Sequence, residues 1–309
     1  MRPDAKREAF AGYLFASPWI FGFLLLTVGP VSASILLSFT EYDALNPAKF
    51  AGLDNYVYLT TKDPVFWKSL GNTAYMALAV PLGMAVGLAL AMLLSAETRG
   101  SAAYRTFFYL PAVVPVVASS ILWVWVLNPN SGLLNTALQF VGLDGMAESA
   151  ARRFGADGLF WLQEESLAKP AIVLMGLWSA GSSMVIWLAG LKSVPKQLYE
   201  AAEIDGAGRI ARFIRITLPM LTPYIFFNLV MGIIGAFQIF TQAYVMTEGG
   251  PADSTLFYVY YLFNNAFRYF RMGYASAMAW ILFGIILILT LIQFKLAPRW
   301  VHYGSSDSS

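Results

Sequence analysis

The chain has no cysteine, a single histidine and few charges, and each shortage removes a class of function. Without cysteine there is no disulfide, no thiolate metal site and no thiol nucleophile. The one histidine, His302, stands in the last eight of 309 residues and reads as an inert tail residue. Charged residues make up 12%, about half the roughly 25% of a soluble domain. The net charge of +2 is small and dispersed, which argues against a nucleic-acid partner. The pair Gly-Lys occurs nowhere, so the backbone cradle of a phosphate-binding loop is missing. H-E-x-x-H and G-x-S-x-G are absent too, and with them the common zinc-protease and serine-hydrolase signatures. No unit of about 20–50 residues repeats, which excludes a solenoid.

What the chain does have is apolar length. It is 58% hydrophobic with a mean hydropathy of +0.60, too little polar surface to cover a globule in water, so a membrane protein is expected. A spanning helix needs about 20 mostly apolar residues. Six stretches qualify: 13–37, 70–94, 106–127, 172–191, 219–246 and 274–296. The first follows a basic segment, MRPDAKREAF, but is too long for the ~7–15-residue core of a signal peptide, so a retained span is expected. Lys and Arg then set orientation. With the N-terminus cytoplasmic, more than half of the 20 fall inside: Arg2, Lys6, Arg7, Arg99, Arg105, Lys192, Lys196, the Arg209/Arg212/Arg215 group, Lys295 and Arg299. The expected division is a cytoplasmic segment 1–12, a six-helix body 13–297 and a cytoplasmic tail 298–309 ending in GSSDSS. The longest outer loop, 128–168, contains an amphipathic run LLNTALQFV suited to the interface. Its polar GMAESAARRFGADG reads as a solvated loop or as a docking surface for an external partner. The six cores hold essentially no carboxylate, which disfavours a proton relay. Sodium coupling through backbone carbonyls stays open.

One island interrupts the apolar pattern. Residues 199–223 read YEAAEIDGAGRIARFIRITLPMLTP. Glu200, Ala201, Ala202 and Glu203 favour helix, Pro195 suits its start, and Gly206 and Gly208 permit a turn. Ile210, Phe213, Ile214 and Thr217 or Leu218 then resume helical spacing. Two short helices joined at 206–208 are expected, with Pro219 and Pro223 at the start of the fifth span. Such an elbow either rests its arginines on lipid phosphates or offers a small-residue, charged knob to a soluble partner.

The island EAAEIDGAGRIARFIRITLP resembles the EAA signature of permease subunits in binding-protein-dependent ABC importers, through Glu200, Ala201, Ala202, Gly206, Ile216, Leu218 and Pro219. Further stretches resemble the carbohydrate-uptake branch, close to the maltose- and glycerol-phosphate-permease type: GLDNY at 52–56, SLGNTAYMALAVPLGMAVGLALAMLL at 69–94, RTFFYLPAVVPVVASSILWVWVLNPNSGLLN at 105–135 and TEGGPADST at 247–255. The resemblance covers nearly the whole chain; loop 136–168 is longer and more charged than the family core. It implies an all-α integral membrane protein of six transmembrane helices with the type I ABC importer permease fold, in a bacterial or archaeal cytoplasmic membrane with both termini inside. It implies a non-catalytic subunit that binds no cofactor or metal itself, with ATP and Mg on partner ATPases. The implied partners are a second homologous permease, two ATPase subunits, a periplasmic or lipid-anchored solute-binding protein, and membrane lipid.

Within the cytoplasmic loop 192–218, the resemblance assigns ATPase coupling to Glu200, Ala201, Ala202, Asp205, Gly206, Ala207 and Phe213. Glu200 would meet a basic residue on the ATPase, and Gly206 would allow a tight turn. For the substrate path, the fifth span offers Asn228, Gly232, Gly235, Ile239 and Gln242 at helical steps, with Ala236 and Gln238 alongside. Small residues there also suit close helix packing. The resemblance adds the end of the fourth span, around Trp178 and Ser182. Trp123 and Trp125 suit an interfacial aromatic belt. Clustered cations would favour a phosphate ester. The cores have none, so a neutral sugar or oligosaccharide is expected ahead of glycerol-phosphate or polyol substrates. A stand-alone secondary carrier fits the docking island poorly. A membrane enzyme lacks a His, Cys or carboxylate constellation.

Overall fold

The computed structural model describes residues 3–96 and 100–302. Arg2, Arg99 and the tail with GSSDSS lie outside the described residues. Three helices are long and apolar enough to cross a bilayer unbroken: α1 (Arg7–Ser38), α3 (Pro64–Leu94) and α14 (Met272–Arg299). Each extends past its expected apolar stretch because polar residues at its ends continue the same backbone spiral. A short α2 (Asp54–Thr61) precedes α3.

The other three expected spans are bent pairs. The stretch 106–127 is not one helix but α4 (Ser101–Val113) and α5 (Val116–Val126), turned by 97°. Pro115 is the cause: it lacks an N–H and forces Val114 into extended backbone, φ −66° and ψ 130°. The stretch 172–191 divides into α8 (Glu165–Trp178) and α9 (Gly181–Ser193), bent by 49°. Here tight packing accompanies the bend, since a Cβ on Gly181 would fall 2.1 Å from the Phe108 carbonyl oxygen. The fifth stretch is also interrupted. Helices α11 (Arg209–Met220) and α12 (Thr222–Phe237) meet at 64° beside Pro219 and Pro223. Helix α12 then stops at Phe237 rather than continuing to 246. Gln238 carries no helix-breaking signal; tertiary packing overrides propensity there. Phe240 stacks on Tyr244 at 5.5 Å and meets Tyr260, in α13 (Tyr258–Phe263), edge-on at 5.9 Å. The three unbroken helices and the three bent pairs give up to six crossings.

Beside its helices the chain has one two-residue antiparallel pair, β1 (Thr40–Glu41) with β2 (Lys49–Phe50). Loop 128–168 is folded, with α6 (Leu133–Phe140) and α7 (Asp144–Arg153). Trp161 Nε1 donates to Asn135 Oδ1 at 2.7 Å, and Ala151, Ala156 and Leu167 form a small apolar core.

The chain divides into two compact units, Met1–Pro64 with Leu262–Phe283, and Val65–Tyr261 with Gly284–Ser309. In the first, GLDNY acts as a clamp. Asn55 Nδ2 donates to the carbonyls of Ser38 and Thr40, both at 2.9 Å, and the Tyr56 hydroxyl donates to Ser38 Oγ. None of the most apolar window of α1 is buried within the chain. In the second unit, Ala91, Met184, Trp187 and Leu221 centre an apolar core. The loop TEGGPADST is lashed to α3: Lys68 Nζ donates to the Ala252 carbonyl at 2.6 Å and Asn72 Nδ2 to that of Asp253 at 2.7 Å.

Candidate functional site: a charged elbow and a cavity at helix breaks

The elbow begins where α9 ends. Pro195 caps α10 (Lys196–Ile204). Beyond Asp205 the chain turns through Gly206 at φ +75°. The Gly206 N–H donates to the Glu203 carbonyl at 3.0 Å and the Ala207 N–H to that of Ala202 at 2.8 Å. These paired bonds, closed by a left-handed glycine, make a Schellman cap. Gly208 then caps α11.

Two contacts tie the short helices together. Arg212 and Glu203 form an ion pair at 3.4 Å, and the Tyr199 hydroxyl lies 2.8 Å from Thr217 Oγ1. This Arg212–Glu203 pairing is not legible from spacing, because both residues suit a solvated face equally well. Glu200, Ala201, Asp205 and Gly206 are exposed, while Ala202, Ala207 and Phe213 are half-buried. Glu200 has no ion pair among the described residues. Ile204 and Ile210 are 87% and 76% exposed, so the elbow presents bare apolar side chains beside free charge.

The second feature lies where the broken helices meet. A cavity of about 260 Å³ is lined by Pro111, Ala112 and Val114 at the α4 break, Val116 and Ser119 of α5, Met175 and Gly176 of α8, Ser179, Ser182 of α9, and Gln242. Its polar groups are hydroxyls and one amide; no charged side chain lines it. Interrupted helices aim backbone groups and side chains into a water-lined space that an intact helix would close. One turn beyond Ser119, Trp123 is buried and meets Trp178 edge-on, ring centres 6.1 Å apart. Trp123 is therefore not part of a lipid-facing belt, whereas Trp125 is 78% exposed. The buried Trp123 Nε1 has no hydrogen-bond partner among the described residues, an unmet donor next to the cavity.

The expected path residues separate. Ser182 and Gln242 line the cavity, and Trp178 forms the aromatic pair above it. Asn228 is buried, its amide donating to the Tyr224 carbonyl at 2.8 Å. A Cβ on Gly232 would fall 2.5 Å from Val80 Cγ1, so this glycine lets α12 approach α3. Gly235 has open space around it, and Gln238 is exposed. The expected helical stripe does not continue from Gly235 to Ile239 and Gln242, because the helix ends at Phe237 just past Ala236. Ser119, Met175, Gly176 and Ser179 escaped the sequence reading. The spacing LPAVVP, two prolines four residues apart, was the signal for the break that exposes Ser119.

The family described as "Binding-protein-dependent transport system inner membrane component" matches residues 79–302. The chain is 46% identical over 306 residues to the probable ABC transporter permease protein YesP of Bacillus subtilis (strain 168), covering 98% of this chain and 95% of that one. It is 34% identical over 292 residues to the lactose transport system permease protein LacF of Rhizobium radiobacter, covering 93% of each. A solved bacterial ABC transporter for import of the acidic polysaccharide alginate has a similar fold, with a TM-score of 0.80 at 24% identity over 97% of this chain and 98% of that one. The chain belongs to the binding-protein-dependent transport system inner membrane component family: it is a non-catalytic permease subunit of an ABC importer.

Proposed function

We propose that this permease passes a neutral sugar or oligosaccharide, received from a solute-binding protein, through the cavity at the helix breaks. The observation that carries the reading is the lining itself: serines, one amide, apolar carbon and no charge. Sugar hydroxyls need such donors and acceptors, and a charged solute would lack a partner there. The neighbouring Trp123–Trp178 pair offers an aromatic face and a free indole N–H. That the relative LacF serves lactose supports the same class of solute; glycerol-phosphate esters are disfavoured by the missing cations.

The elbow takes the coupling role. Glu200, Ala201, Ala202, Asp205, Gly206, Ala207 and Phe213 present a ligated turn to one of two ATPase subunits, which hold ATP and Mg. A second homologous permease completes the pathway, and the apolar window of α1, none of it buried within the chain, meets that partner or lipid. The N-terminus and the elbow face the cytoplasm, in keeping with the arginine cluster; loop 128–168 faces outward with the solute-binding protein.

The test is to purify the tagged chain from its native membrane and identify both its companions and the ligand of the associated binding protein. A second permease, an ATPase and a saccharide-loaded binding protein are expected. A chain that purifies alone, or a binding protein loaded with an amino acid or ion, contradicts the proposal.

A further inference from the structure

The compact unit Met1–Pro64 with Leu262–Phe283 holds a second cavity, of about 970 Å³, far larger than the one at the helix breaks. It lies at the Ser38 end of α1, between the β1–β2 hairpin, α2 and the segment leading into α14. Its size is at the upper end of the range of about 300–1,000 Å³ typical for small-molecule sites. Three acids (Glu41, Asp43, Asp54) and three bases (Lys49, Lys62, Arg271) line it, and none of the six is in an ion pair among the described residues. Opposite charges that share a cavity without pairing keep their hydrogen-bonding capacity for something else. Asp43 is partly engaged, since the backbone N–H groups of Leu45 and Asn46 and the Asn46 amide donate to it. These bonds, those of Asn46 first, hold its carboxyl below the usual range, so it stays ionised at neutral pH.

Aromatic faces complete the lining. Tyr58, Tyr269 and Phe270 are 45%, 60% and 50% exposed, and Tyr42 joins them. Phe270 sits at φ +55°, a strained conformation for a bulky residue. Its position is held by the Arg271 N–H on the Asn265 carbonyl at 2.8 Å and the Gly273 N–H on the Tyr42 carbonyl at 3.1 Å. Gly273 has no alternative: a Cβ there would fall 2.0 Å from the Thr40 carbonyl oxygen. Tyr274 also lines the cavity, and its hydroxyl donates to the buried Asp63. The walls are built by backbone contacts, so the cavity is preformed.

We propose that this cavity is a second saccharide site, a receiving groove for a neutral oligosaccharide, separate from the cavity at the helix breaks. The proposal rests on the saccharide reading of the transported solute. A carboxylate accepts two hydroxyls of one sugar ring, an ammonium or guanidinium donates to hydroxyl and ring oxygens, and aromatic rings cover the apolar ring face. The balance of three acids against three bases rejects a strongly charged ligand, which would meet as much repulsion as attraction. A zwitterionic peptide or a protein loop is the competing occupant, and the aromatic share of the lining favours the sugar.

The assembled transporter in lipid nanodiscs, without its solute-binding protein, supplies the test. Saturation transfer is measured to maltose, cellobiose, lactose and xylobiose, with a glutamyl-lysine dipeptide alongside. At least one disaccharide should receive transfer. That signal should fall at least fivefold in Tyr269→Ala and in Glu41→Gln, both exposed positions, and persist in Gln242→Trp, which fills the other cavity. No transfer to any disaccharide overturns the proposal. So does transfer that ignores Tyr269→Ala and Glu41→Gln, or that vanishes only in Gln242→Trp. Stronger transfer to the dipeptide assigns the cavity to a peptide or protein loop instead. If the native binding protein carries a non-saccharide, the transport reading fails by that separate measurement, and disaccharide transfer still decides this one.

Discussion

Gly206 concentrates the coupling hypothesis in one backbone angle. At φ +75°, with nothing within 4 Å of where a Cβ would lie, the site tolerates side-chain volume but not an L-residue's backbone preference. Gly206→Val should cost about 1–3 kcal/mol in local strain, open the Schellman cap and weaken ATPase capture. Gly206→Asn, whose side chain tolerates the left-handed region, should retain most of it. Pull-down of the ATPase by membranes containing each variant measures the difference; equal capture would assign the glycine no part in docking. Glu200 is the complementary lever. It is exposed and in no ion pair among the described residues, and the coupling proposal gives it a partner on the ATPase. If that partner is desolvated on docking, Glu200→Lys should cost about 2–5 kcal/mol of association. An effect under about 1 kcal/mol would instead mark a solvated contact. The measured loss of ATPase affinity thus reports how deeply the elbow is gripped.

At the scale of elements, interruptions matter more than helices. Composition showed where the apolar stretches run, and the three unbroken spans follow from it. The breaks were only partly legible. Pro115 announces the α4–α5 turn, and Pro219 and Pro223 announce the α11–α12 bend. Nothing at Gln238 announces the end of α12; the aromatic packing of Phe240 and Tyr244 against Tyr260 decides it, and those two contacts span sixteen to twenty residues of sequence. For the same reason the stripe of small residues on α12 resolved into separate roles. Gly232→Ala should destabilise the chain by about 1–3 kcal/mol, since the new methyl overlaps Val80 and overpacking forces the helices apart. Gly235→Ala should leave stability within about 0.5 kcal/mol, as at an unpacked surface position. Thermal unfolding of the two variants in detergent compares them directly, and an equal loss for both would show that Gly235 also packs.

At the scale of the whole molecule, the proposal puts two working surfaces on one chain. Its EAA-like island, GLDNY clamp and TEGGPADST loop were legible as motifs, and each proves to be a hydrogen-bonded device: a capped turn, an Asn55 clamp on span one, a strap on α3. The cavity was legible only through Ser182 and Gln242: Ser119 reaches it by the break that Pro111 and Pro115 mark, and Ser179 by a bend that no local spacing encodes. The central claim is that a neutral saccharide crosses at those bends. Proteoliposomes containing the full transporter, its saccharide-loaded binding protein and internal ATP give the most direct test, comparing wild type with Ser182→Trp. The account predicts that the variant assembles and retains its ATPase subunits while uptake of the labelled saccharide drops at least tenfold. Undiminished uptake, with wild-type KM, would place the path elsewhere and contradict it.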